Sequence, residues 1–106
     1  MKIINMQIHQ NHRSETIARL VNALISLPEI KTIQIHKGPM NQKYVNIGIS
    51  VRSVRNAWKV LGPKIKSDRV LGRNSIVVCE GKRGWDDYEL VYHWDVDAID
   101  EKWRTA

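Results

Sequence analysis

Residues Ile30–Val51, IKTIQIHKGPMNQKYVNIGISV, decide how this chain folds. In the first part, Ile33 and Ile35 alternate with Thr32, Gln34 and His36. In the last part, Val45, Ile47, Ile49 and Val51 alternate with Asn46, Gly48 and Ser50. A period of two belongs to a strand with one buried and one wet face. Between the two, KGPMNQK carries Gly38 and Pro39, which break regular structure and turn the chain. Two strands are therefore expected, Ile30–His36 and Tyr44–Val51.

The flanks read as helices. In SETIARLVNALISL, residues 14–27, Ile17, Leu20, Val21, Leu24 and Ile25 recur at three- and four-residue spacing and form one apolar stripe. Ser14 is placed to cap it, Glu15 suits the positive end of its dipole, and Pro28 stops it. Downstream, Val54, Ala57, Trp58 and Leu61 form the stripe of a second helix over 54–61, with Ser53 as N-cap. Gly62–Pro63 either ends that helix or lets it run one more turn to Ile65. The stretch 72–74 reads as loop.

The ends supply more strands. Lys2–His9, KIINMQIH, puts Ile4, Met6 and Ile8 on one side and Asn5, Gln7 and His9 on the other. Ser75–Glu80 is a fourth strand, and GKRG turns the chain. Tyr88–Trp94 is a fifth, with Tyr88, Leu90, Tyr92 and Trp94 on one side and Glu89, Val91 and His93 on the other. A short helix over 97–103, capped by Asp95 or Asp97, closes the chain.

The order β-α-β-β-α-β-β predicts one α+β domain of the ferredoxin-like βαββαβ plan with an additional C-terminal strand. Its antiparallel sheet carries both helices on one face, because three strands have one strongly apolar and one mostly polar side. A length of 106 residues with 42% apolar content suits a single modest core.

Composition narrows the function classes. No stretch approaches the ~20 apolar residues of a membrane span, and MKIINMQIHQNH lacks the pattern of a signal peptide. Cys79 is the only cysteine, which excludes an internal disulfide and a cysteine-rich zinc knuckle. A cytoplasmic protein is expected, with no membrane contact. No motif calls for a cofactor or a resident metal.

Charge is unevenly spread around a net +6. Residues 52–73 hold seven cations, Arg52, Arg55, Lys59, Lys64, Lys66, Arg69 and Arg73, against one acid, Asp68. Residues 80–106 hold four cations against eight acids. The basic segment is a candidate for nucleic acid, since such groups neutralise backbone phosphates without reading bases. It lacks the Gly-rich, Lys-Ser/Thr pattern of a phosphate loop.

Topology predicts two further sites. The sheet should bring His9, His12, His36 and Tyr44 to one end, a polar corner where an imidazole is available as general acid or base. The aromatics Trp85, Tyr92 and Trp94 are candidates for a protein interface. Asn5, Gln7, Gln34 and Asn46 should look outward, and homodimer contact through that face or the last strand's edge is expected. The readings are thus a binding or regulatory module, a small histidine enzyme, and a protein-docking module.

Overall fold

The computed structural model describes residues 1–9, 14–27, 30–37 and 44–104. The elements are β1 (Lys2–His9), α1 (Ser14–Ile25), β2 (Ile30–Lys37), β3 (Tyr44–Val51), α2 (Val54–Ser67), α3 (Arg69–Asn74), β4 (Ser75–Gly81) and β5 (Gly84–Tyr92). A 3-10 turn at Val96–Ala98 and α4 (Glu101–Arg104) follow. The five strands form one sheet in the order β2-β3-β1-β4-β5, every neighbouring pair antiparallel. This is the ferredoxin-like plan extended by β5 beyond β4. The expected Pro28 stop, the Gly38–Pro39 turn and His12 lie outside the described residues.

The alternation read in β1 and β3 is what the sheet uses. Ile4, Met6 and Ile8, with Val45, Ile47, Ile49 and Val51, are at most 4% exposed. They meet Leu20 and Leu24 of α1 and Trp58, Leu61 and Ile65 of α2 in one core cluster. Among the described residues no helix lies on the other face. Burying each such aliphatic side chain contributes about 1.5–3 kcal/mol. The register, with Met6 opposite Ile47 and Val77, holds β1 at the centre of the sheet.

The second helix is longer than its sequence suggested. It runs through Gly62 and Pro63 to Ser67. A proline inside a helix costs about 3 kcal/mol. Here Pro63 is exposed, while Leu61 and Ile65 on flanking turns are fully buried. Their burial offsets the lost backbone bond. Asp68 then ends α2 and starts α3. Its N–H donates to Ile65 O, and its carboxylate accepts from Val70 and Leu71 N–H. Residues 72–74 are therefore helical, not loop. In α1 the stripe is also narrower than expected: Ile25 is 66% exposed, and Thr16 is buried instead.

The last strand departs most from its pattern. It starts four residues earlier, at Gly84, whose φ of 70° suits glycine at the hairpin. It ends at Tyr92 rather than Trp94. Val78 faces Leu90, but Val77 faces Tyr92, so Val91 is an extra residue in the ladder. That bulge turns Tyr92 into the core beside Trp58, with its hydroxyl donating to Gly72 O. Tyr88 and Leu90 stay on the open face. The four residues once grouped on one side are split.

The tail packs under the sheet's helix side, burying Ile99 and Trp103. Asp100 N–H donates to Leu90 O at 3.0 Å, and Leu90 N–H donates to Asp100 Oδ2 at 2.6 Å. Those bonds cover part of an edge that would otherwise pair with another chain. No helix among the described residues is long and apolar enough to cross a membrane.

Candidate functional site

The basic segment 52–73 becomes two consecutive helices, and all seven of its cations are exposed. At about 100° per residue, Arg55, Lys59 and Lys66 fall within about 40° of one another around α2, and Lys64 lies about 180° from Arg55. The cluster therefore divides. The stripe of Arg55, Lys59 and Lys66 runs about 16 Å along one flank of α2. Its ends lie over aromatic rings, the Arg55 guanidinium 5.1 Å from the Trp103 ring and Lys66 Nζ 5.9 Å from that of Trp58. Cation–π contact of this kind fixes a charge in place without neutralising it. Lys64 instead borders a groove with Arg19, Ser67 and Asp68.

Asp68 is the only acid of the segment, and its charge is already engaged. Beside its two backbone N–H donors it accepts from Arg19 Nη2 at 3.1 Å. Burial pushes its pKa up, but the Leu71 N–H, the Arg19 guanidinium and the Val70 N–H outweigh that and hold it below the usual value. The one carboxylate of residues 52–73 is thus held by Arg19 and by the start of α3.

At the far end of the sheet, His9 and Tyr44 are register partners with ring centroids 5.6 Å apart. Gln7 Oε1 accepts from His9 Nε2. His36 reaches the same sheet by pairing with Asn46. Two members of this corner were not evident in the sequence. Trp94 meets His9 edge-on at 5.5 Å, and His93 lies tilted against Trp94 at 4.3 Å. The β5 bulge and the end of the strand bring them there, and no periodic signal marks that. Burial, and then the field of His93, lower the His9 pKa below the ordinary imidazole value, which favours the neutral ring. No group of three metal-ligating side chains occurs among the described residues.

Three of the acids near the C-terminus have structural partners. Asp87 accepts from Arg83 N–H, Glu89 pairs with Lys102, and Asp95 accepts from Asp97 N–H at the 3-10 turn. Cys79 is buried, and burial together with Glu89 pushes its thiol up to about 11. It is a packing residue rather than a nucleophile at neutral pH.

The candidate interface residues separate. Trp85 and Trp94 are 46% and 42% exposed, and Tyr92 is 8% exposed inside the core. Trp85 joins Tyr88 along a shallow hollow of about 530 Å³ on the open sheet face. Asn5, Gln7, Gln34 and Gly48 form its polar floor, and Ile3, Ile76 and Val78 form its apolar part. Asn5 Nδ2 donates to Asn46 Oδ1 at 3.4 Å across β1 and β3. The apolar share was hidden because Ile76 and Val78 lie in a strand that reads as apolar on both sides.

The chain matches no family model, no curated protein and no solved structure. Its ferredoxin-like assignment rests on strand order and register, and a widely shared plan of this kind favours no single function.

Proposed function

We propose that this protein is a small cytoplasmic binding module that holds the phosphate backbone of nucleic acid along α2. The observation that supports it is the continuous stripe of Arg55, Lys59 and Lys66, exposed on one flank while Asp68 is engaged by Arg19 and two backbone N–H groups. Cations in a row on a rigid helix neutralise successive phosphates and release counterions, which gives binding that is strong at low salt and weakly sequence-dependent. Arg52, Lys64, Arg69 and Arg73 extend the positive field without sharing the stripe. The chain is further proposed to act as a homodimer, which would present two such stripes.

Salt-dependent binding tests the reading. Affinity for a duplex or single-stranded oligonucleotide should fall steeply with salt. Joint Arg55→Gln and Lys59→Gln substitution should lower the log–log salt slope by about 2. An unchanged slope removes α2 from the interface. Catalysis by His9 has less support, because its described neighbours are Gln7, Tyr44, His93 and Trp94, none of them a carboxylate.

A further inference from the structure

We infer that the hollow on the open sheet face is the contact by which two copies of this chain associate about a two-fold axis near β1. The inference adds a surface to the homodimer reading and is independent of phosphate binding.

In a chain that is 26% charged, no charged residue is among those described as lining the hollow. A two-fold contact places each residue near the axis against its own copy. Two like charges there repel. An amide carries both donor and acceptor and can pair with another amide of the same kind. Asn5 and Gln7 belong to β1, the third of five strands, so they lie closest to the sheet centre. The uncharged amides at the centre and the apolar residues beside them suit this chain's own face better than a charged ligand, whose desolvation they would not repay.

The size also fits. Five strands about 4.8 Å apart and about 26 Å long present a face of roughly 600 Å². Full overlap of the whole face, hollow and rim together, would bury about 1,200 Å² over two copies, against the ~1,000 Å² that a specific interface needs. Trp85 and Tyr88, 46% and 59% exposed, form a ridge along the hollow that the second copy would cover. On the β5 edge, Asp100 occupies Leu90, which disfavours continuous edge pairing there.

Sedimentation equilibrium of the full chain tests this. The mass should rise with concentration from 12.3 kDa to twice that value. Gln7→Glu and Gln7→Lys should each weaken association by at least about tenfold, and an equimolar mixture of the two should restore it. Tyr88→Lys, at an exposed position, is a second variant that should weaken association with an unchanged circular dichroism spectrum. A wild-type mass that stays at 12.3 kDa at about 0.5 mM overturns both the surface and the homodimer reading. A dimer that withstands all three substitutions overturns the surface alone. A monomer whose tryptophan fluorescence is quenched by a single-stranded oligonucleotide, with the quenching lost in Trp85→Leu, overturns the dimer contact and assigns the hollow to nucleic acid instead.

Discussion

Gly62 leaves room for the indole of Trp58 one turn earlier: a Cβ on Gly62 would stand 2.9 Å from Trp58 Cε2 and 3.2 Å from Nε1. Trp58 is 2% exposed and packed in the core beside Tyr92, so it has little space to yield. Helix propensity alone favours Gly62→Ala by about 1 kcal/mol. Overpacking a filled core costs about 1–3 kcal/mol. The core term should win, and the variant should unfold at lower urea than the wild type. A raised urea midpoint would show that the indole moves freely.

Asp68 predicts an acid-sensitive joint between α2 and α3. Its folded pKa is depressed below the ordinary 3.8 by the Leu71 and Val70 N–H groups and Arg19, against the upward push of burial. A depressed carboxylate contributes stability that is present above its unfolded pKa and lost as pH falls through its folded pKa. Wild-type stability should therefore decline from about pH 4 downward. Asp68→Asn keeps a cap and should show a shallower decline, while Asp68→Ala should cost about 1–2 kcal/mol at pH 7. The Arg19 pair adds little to that figure, because Arg19 is 54% exposed. Urea titrations at several pH values separate the variants, and parallel pH profiles would refute the role.

Asp100 predicts where the sheet opens first. Its carboxylate and N–H satisfy both polar groups of Leu90. Asp100→Ala removes the acceptor and should cost about 1–2 kcal/mol. Amide exchange at Leu90 should quicken more than exchange at Met6 in the central strand. Equal acceleration at both sites would mean that the tail supports the whole fold rather than this edge.

Strands with one strongly apolar side were legible to the residue. Lys2–His9 and Tyr44–Val51 have the bounds their alternation implies. The α1 stripe was legible except at Ile25, which at about 100° per residue stands on the opposite side of the helix from buried Thr16, while Leu24 and Leu27 on either side of it in the chain are buried. The continuation of α2 past Pro63 was not legible, since local backbone cost and distant burial oppose each other and only the fold sets the second. The bulge at Val91 was also invisible. It depends on which residues of β4 stand opposite, and a bulge reverses every face assignment beyond it. Of the candidate sites, the cations could be named from composition, but their division into a stripe and an outlying Lys64 needed the full length of α2.

By itself, then, the sequence determined the element order, the buried faces of β1 and β3, and the excess of cations over 52–73, because periodicity and charge are local properties of the chain. The tertiary structure alone decided that Tyr92 turns inward, that Trp94 and His93 join His9, and that the tail closes the edge at Leu90. Those outcomes depend on strand register and on contacts between residues distant in the chain, which no local pattern encodes.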